Sequence, residues 1–144
     1  MTRSPVNAAK VTALKWFKKY IRVRDALATT GTKTEALCIT CKRRLPIEKL
    51  DCGHFVPGRK MPLLLMEENA ATQCPGCNRF RSGAWPEFER AMRLRHGAMM
   101  VEHLKWLYDR DDETTEAEFR ELSDKYRMEY RALVGKNDRK NKAR

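Results

Sequence analysis

The stretch Cys74-Pro-Gly-Cys77-Asn78, together with Cys38-Ile-Thr-Cys41, decides the fold of this chain. Each Cys-x-x-Cys can turn back on itself so that its two sulfur atoms reach one ion. Four thiolates form the soft tetrahedral set that suits zinc. The sequence therefore predicts a structural zinc site whose ion closes the loop between the two pairs.

The compartment bears on this interpretation. No signal peptide is evident at the N-terminus. The longest apolar run, Leu63–Met66, is far too short to span a bilayer. We therefore expect a protein of the reducing cytoplasm with no membrane partner, where paired cysteines favour zinc over disulfides. The alternatives are a redox motif for a single pair and unliganded thiols for both. Cys52 has no partner at this spacing and is expected to pack as a small side chain.

A chemically different set of side chains lies inside the zinc loop, in Asp51-Cys-Gly-His54. The carboxylate of Asp51 and the amide oxygen of Asn78 are hard ligands suited to Mg²⁺ or Mn²⁺. A histidine beside such an ion can act as a general base. Gly53 would permit a bend that brings Asp51 and His54 together. Taken singly, His54 is an ordinary loop residue and Asn78 a helix cap.

Net charge points to the partner. The chain carries 30 Lys and Arg against 19 Asp and Glu, a formal charge of +11. Most of the surplus lies in residues 1–50, which hold twelve basic and three acidic side chains. Such a surplus favours a polyanion, most often nucleic acid. The alternative is a basic protein whose charges are merely solvated.

Hydrophobic periodicity and helix signals predict helices on both sides of the zinc loop. We expect helices from Pro5 to about Ala28, over Pro86–His96 and Met99–Tyr108, and from the Thr115-x-x-Glu118 capping box to Gly135. Residues 42–60 read as strand, turn, strand. The predicted fold class is α+β and mostly helical. Its segments are a basic N-terminal helix and linker (1–34), a zinc-stapled core (35–97), C-terminal helices (98–135) and a basic disordered tail (136–144).

Four stretches together resemble a known family: Phe17–Asp25, Cys38–Cys41, Asp51–Phe55 and Asn69–Phe80. They are similar to the NinG/Rap recombination proteins of lambdoid phages, in the zinc-containing branch of the HNH, or ββα-metal, endonucleases. The resemblance covers roughly residues 14–108. It implies an HNH-like core in residues 35–97 and a structure-selective DNA endonuclease, a phosphodiester hydrolase, acting on Holliday junctions or D-loops. For a phage-encoded chain, the cytoplasm is that of the host cell.

The resemblance also implies roles for single residues. His54 would be the general base, and Asp51 and Asn78 would hold one catalytic Mg²⁺ or Mn²⁺. Asn69 would tie down the loop that orients His54. The structural zinc ligands would be Cys38, Cys41, Cys74 and Cys77. The chain departs from the family pattern at Gly53, where many HNH enzymes have Asp or His, and at Asn78, where His is common.

Candidate DNA contacts are basic residues near this site and on the first helix: Lys18, Lys19, Arg22, Arg59, Lys60, Arg79 and Arg81. Branched DNA is the expected partner, and a homodimer or a recombinase partner is compatible with the sequence. The competing hypothesis is a non-catalytic, zinc-dependent DNA-binding recombination accessory module. In a third interpretation the helix Thr115–Val134 docks a protein partner or a second copy.

Overall fold

The computed structural model describes residues 3–142 of the chain. Its helices are α1 (Pro5–Thr30), α2 (Trp85–His96), α3 (Ala98–Trp106) and α4 (Glu116–Lys142). Its strands are β1 (Glu35–Leu37), β2 (Arg44–Pro46), β3 (Asp51–His54) and β4 (Ala70–Gln73). The prediction of a mostly helical α+β chain is confirmed. None of the helices within residues 3–142 is long and apolar enough to cross a membrane.

Helix α1 begins and ends where capping chemistry directs. The Ser4 hydroxyl accepts a hydrogen bond from the Asn7 N–H at 3.2 Å, and Pro5 occupies the first turn. The helix ends at Thr30, two residues beyond the predicted end. Gly31 follows it with a left-handed φ of 72°, and its N–H donates to the Leu27 carbonyl. One face of α1, including Phe17 and Ile21, is completely buried.

Helix α4 packs along α1 and closes this part of the core. Thr115 and Glu118 form the predicted capping box reciprocally: each backbone N–H donates to the other residue's side-chain oxygen. The Tyr126 ring meets Phe17 edge-on, with centroids 5.1 Å apart. The sequence placed the helix end at Gly135, but α4 continues to Lys142. A single glycine weakens a helix by about 1 kcal/mol without ending it. Residues 143 and 144 of the predicted tail lie outside the described residues.

Two antiparallel hairpins form the centre of the structure, β1 with β2 and β3 with β4. The two strands predicted within residues 42–60 therefore pair with partners outside that segment rather than with each other. Two hydrogen bonds join the hairpins, from the Ile39 N–H to the Thr72 carbonyl at 2.9 Å and from the Thr72 hydroxyl to the Leu37 carbonyl at 3.0 Å. Helices α2 and α3 cover the far side through Phe88, Met92 and other buried apolar residues.

Candidate functional site

The four paired cysteines meet at one point. The sulfur atoms of Cys38, Cys41, Cys74 and Cys77 all lie within 4.8 Å of one another. A tetrahedral zinc with Zn–S bonds of about 2.3 Å requires sulfur atoms about 3.8 Å apart, and the Sγ atoms of Cys41 and Cys74 are 3.8 Å apart. The cluster therefore fits a zinc ion.

Two tight turns bring the sulfur atoms together. In the first, at the tip of the β1–β2 hairpin, the Lys42 N–H donates to the Cys38 carbonyl, and Lys42 takes a left-handed φ of 67°. In the second, just after β4, the Asn78 N–H donates to the Cys74 carbonyl, opening the π-helical turn Gly76–Phe80. A bound metal would thus fasten the first hairpin to the end of β4.

The thiols differ in acidity. Burial alone would raise the pKa of Cys38, but hydrogen bonds from the Cys41 backbone and the Thr40 hydroxyl lower it to about 6. Burial and the neighbouring Cys38 sulfur raise the pKa of Cys41 to about 12. Without a bound cation, a negative charge on one sulfur atom therefore makes deprotonation of the next thiol less favourable. A dication stabilises all the thiolates together, so metal binding and deprotonation are coupled.

His54 ends β3 and is held by one ring nitrogen. Its Nε2 lies 2.8 Å from the Leu64 carbonyl oxygen. A carbonyl can only accept, so Nε2 carries the hydrogen and Nδ1 is the basic nitrogen of the neutral ring. The Phe17 ring stacks on the imidazole with centroids 6.2 Å apart. Burial lowers the pKa of His54 despite the hydrogen bond to Leu64, which raises it. The imidazole is therefore neutral at pH 7.

His54 faces a basic groove of about 480 Å³. The predicted DNA contacts Lys18 and Arg59 are among its walls. Lys10 also lines it and donates from Nζ to the Arg59 carbonyl at 2.7 Å. Sequence analysis missed Lys10. The signal was its position on α1, four residues before Leu14 and eight before Lys18, which places all three on one helix face.

Asp51, at the start of β3, is held by the π-helical turn. The Asn78 side-chain amide donates to Asp51 Oδ2 at 3.0 Å, and Arg79 makes a bidentate ion pair with both carboxylate oxygens at 2.9 and 2.7 Å. Burial raises the pKa of Asp51, but Arg79 and then Asn78 outweigh it and hold the pKa below its usual range. The carboxylate borders a second cavity of about 360 Å³, which Lys18 and Arg22 also line.

The bend predicted at Gly53 is absent, and that prediction was wrong. All four β3 residues pair in unbroken register with β4, from Asp51 with Gln73 to His54 with Ala70. Because side chains alternate along a strand, Asp51 and His54 point to opposite faces. They border adjacent cavities that share Lys18 and Cys52 as walls. The two catalytic candidates therefore lie in adjacent cavities on either side of Lys18 and do not face a common point.

Gly53 instead makes room for Gln73. A Cβ at position 53 would lie 2.3 Å from Gln73 Oε1 and 3.0 Å from its Cδ. The Gln73 side chain is completely buried, and its amide nitrogen donates to the Gly83 carbonyl at 2.8 Å. Glycine at position 53 is therefore a requirement of close packing.

Gly53→Ala is expected to destabilise the protein by about 1–3 kcal/mol, the usual cost of overpacking a core. Urea unfolding of the zinc-loaded protein measures the change. The double variant Gly53→Ala/Gln73→Ala serves as the control, because it removes the crowded amide and should recover part of the loss. An unchanged midpoint for Gly53→Ala would contradict the packing argument.

Asn69 is completely buried and cross-links the loop that follows β3. Its Oδ1 accepts from the Val56 N–H at 2.8 Å, and its Nδ2 donates to the carbonyls of Val56 and Leu63 at 3.0 and 3.2 Å. Leu63 directly precedes Leu64, whose carbonyl holds His54. The role that the resemblance implies for Asn69 stays a prediction, and these contacts are of the kind it requires.

The remaining predicted DNA contacts divide between the cavities and the surface. Arg79 borders the Asp51 cavity, and Lys19 and Arg22 line a further cleft between α1 and α4. Lys60 is exposed in the loop after β3. Arg81 forms an ion pair with Glu87 at 3.2 Å.

The two proposed metal sites differ in their ligands. Among the side chains that the structure describes, in residues 3–135, the four cysteines are the only group of three or more His, Cys, Asp or Glu placed to hold an ion. Asp51 and Asn78 offer one carboxylate and one amide oxygen. Mg²⁺ commonly keeps several waters and binds one or two carboxylates plus a substrate phosphate. In this structure Asn78 turns its amide nitrogen, not its oxygen, toward Asp51. The donor chemistry fits such an ion once Arg79 releases the carboxylate and the Asn78 amide rotates to present its oxygen.

Comparison with known proteins gives one match. A family model described as "Bacteriophage Lambda NinG protein" matches residues 6–137. That range includes all four clustered cysteines, β3, β4 and most of α1 and α4. No curated protein and no solved structure matches the chain significantly.

Proposed function

The chain belongs to the bacteriophage lambda NinG family, and on that premise we propose that it is a metal-dependent DNA endonuclease. Its substrates would be branched recombination intermediates of the Holliday junction or D-loop type. The observation that carries the proposal is the arrangement of His54. One ring nitrogen is fixed by the Leu64 carbonyl, which leaves Nδ1 as the basic nitrogen, and the residue lines a groove that Lys10, Lys18 and Arg59 also line.

The proposed reaction is hydrolysis of a phosphodiester bond. The neutral His54 accepts a proton at Nδ1 from a water molecule, and the resulting hydroxide attacks phosphorus in line with the 3′ oxygen. The bond between phosphorus and that oxygen breaks, and the leaving 3′ oxygen takes a proton from solvent water, so the products carry 3′-hydroxyl and 5′-phosphate ends. A Mg²⁺ or Mn²⁺ ion held by Asp51 and Asn78 would supply Lewis-acid stabilisation of the developing negative charge. Lys18, between the two cavities, is placed to hold a phosphate.

The zinc cluster supports the same assignment. In the HNH, or ββα-metal, core that we propose, β3 and β4 supply the hairpin and the turn Gly76–Phe80 supplies the helical part. Cys77 and Asn78 are neighbours, so zinc at the sulfur would fix the backbone that presents the amide beside Asp51. The zinc would stabilise the fold, and the Mg²⁺ or Mn²⁺ ion would take part in the reaction.

Arg79→Ala is expected to raise the affinity of the free protein for Mn²⁺ by about two- to fivefold, because an exposed ion pair of modest strength no longer occupies Asp51. Electron paramagnetic resonance titration without DNA measures this directly. Arg81→Ala is the matched control. Arg81 lies in the same segment, but it pairs with Glu87 rather than with Asp51. Equal Mn²⁺ affinity in all three proteins would contradict the view that Arg79 competes with the ion.

The test of the function is cleavage of labelled four-way junction, D-loop and linear duplex by the zinc-loaded protein. Each substrate is incubated with Mg²⁺, with Mn²⁺ and without an added divalent ion. We expect divalent-dependent cleavage of the branched forms, with ligatable nicks. Tight binding without cleavage under any of these conditions would reject the endonuclease.

The second candidate is a zinc-dependent DNA-binding accessory module without catalysis. The ion pair of Arg79 with both oxygens of Asp51 favours it, because a permanent pair would leave no hard-ion site. The Mn²⁺ titration above separates the candidates, since an accessory module has no use for the ion.

A further inference from the structure

A third cleft, of about 340 Å³, lies between α1, α4 and the turn Ile47–Lys49. We call it the α1–α4 cleft. Its apolar side is formed by Val23, which is 2% exposed, and by Ile47. The Tyr130 ring forms another wall, and Lys19, Arg22 and Glu48 supply the charges. A cleft with an apolar side, an aromatic wall and cations at its edge suits a ligand with a flat ring and an attached negative charge. The ring can pack against the aromatic wall while the charge contacts the cations.

Aromatic rings and cations alternate beside this cleft. The rings of Trp16 and Tyr130 lie with centroids 5.9 Å apart. Lys19 Nζ is 5.0 Å from the Trp16 centroid and 5.7 Å from that of Tyr130, and the Arg131 guanidinium is 5.7 Å from Trp16. Surfaces that bind single-stranded nucleic acid combine these features, with rings to stack bases and cations to hold the backbone.

The α1–α4 cleft continues the proposed DNA path. Lys18 is a wall of both the His54 groove and the Asp51 cavity, and Arg22 is a wall of both the Asp51 cavity and this cleft. Lys18 and Arg22 are four residues apart on α1 and therefore project from the same helix face. A strand with its phosphate at Lys18 thus reaches the cleft past Arg22.

We propose that the α1–α4 cleft binds one unpaired base of branched DNA, stacked on Tyr130, with the adjoining phosphate on Lys19 and Arg22. This inference rests on the proposed function only in taking DNA as the partner. Bases inside a duplex are stacked and paired and do not enter such a slot without being extruded. The cleft would therefore recognise the single-stranded part of a branch.

Glu48 gives the cleft a preference among bases. A carboxylate accepts hydrogen bonds from exocyclic amino groups, as with the N4 amine of cytosine. Thymine has no such group. The same carboxylate repels phosphate, so the backbone is expected to keep to the side of the cleft formed by Lys19 and Arg22.

The test is equilibrium binding of fluorescent forked DNA by the zinc-loaded protein at fixed salt, in buffer without added Mg²⁺ or Mn²⁺. A single abasic nucleotide is moved stepwise through the unpaired arm. We expect a loss of about tenfold in affinity at one or two positions, the size expected for one stacked base. Tyr130→Leu should bind the intact fork about tenfold more weakly and be indifferent to the abasic site. Tyr108→Leu, at an exposed tyrosine beyond α3, should behave as the parent protein.

Three results would overturn the proposal: no abasic position that weakens binding, a Tyr130→Leu protein still sensitive to that position, or a Tyr108→Leu protein that loses the sensitivity. Should Tyr130→Leu unfold on heating below the parent, Glu48→Gln replaces it. Glu48 is exposed, so its substitution should not disturb the fold. It should reduce the preference for cytosine over thymine at that position, and an unchanged preference rejects the proposed base-binding cleft. Without added Mg²⁺ or Mn²⁺ the DNA is not cleaved and the structural zinc stays bound, so failed nuclease activity with retained abasic sensitivity counts against the endonuclease alone.

Discussion

Replacing Cys74 with serine is expected to abolish zinc binding and the cooperative thermal transition together. Cys74 is buried and its sulfur belongs to the four-cysteine cluster. Structural zinc sites contribute about 10–16 kcal/mol of apparent binding free energy, whereas whole domains are stable by about 5–15 kcal/mol. Loss of the ion therefore removes a contribution as large as the whole stability of a typical domain. Zinc content by atomic emission and unfolding by circular dichroism measure the two effects.

The fifth cysteine provides the matched control. Cys52 lies on β3 outside the cluster, and burial raises its pKa to about 12, so it remains a neutral thiol. Cys52→Ala should keep one zinc per chain and a thermal transition close to that of the parent. A Cys74→Ser protein that retained both zinc and its transition would reject the structural site.

Replacing His54 with glutamine is expected to reduce cleavage by about 10²–10⁴-fold, the range that general-base catalysis supplies. The glutamine amide can still donate to the Leu64 carbonyl, but it offers no basic nitrogen. Binding of branched DNA without added Mg²⁺ or Mn²⁺ should remain within about twofold, because the phosphate contacts would be made by the surrounding cations. Single-turnover cleavage and anisotropy titration separate the two quantities.

His103 is the control for this substitution. It is exposed on α3 and stacks on Trp106, far along the chain from the groove. His103→Ala should cleave at the parental rate. Parental cleavage by His54→Gln would reject the general base, and a parallel loss of binding and cleavage would assign His54 to folding or DNA contact.

Features that depend on short spacings were predictable from the sequence. Each Cys-x-x-Cys pair specifies its own turn locally. The four thiolates can share one zinc ion only if the fold brings the two pairs together. Ser4 and the pair Thr115 and Glu118 mark helix starts for the same reason, since each cap contacts the next turn.

Features that depend on strand register were not predictable. Nothing local to Gly53 shows that Gln73 pairs with Asp51, two residues away, and that its side chain fills the space beside Gly53. The Leu64 carbonyl belongs to a loop whose path is set by Asn69, so the nitrogen of His54 that remains basic emerges only with the tertiary fold. The hold of Arg79 on Asp51 depends on the turn that follows the zinc cysteines.

Helix α1 forms one wall of all three cavities and is braced by α4 along its length. The His54 groove and the α1–α4 cleft therefore lie at a fixed distance from each other along one rigid helix, which rises about 1.5 Å per residue. A rod of this kind acts as a molecular ruler, because neither end can approach the other by loop movement. Cuts should then fall at a constant number of nucleotides from the branch point, whatever the sequence of the arm, and single-nucleotide mapping of the nicks reads that length.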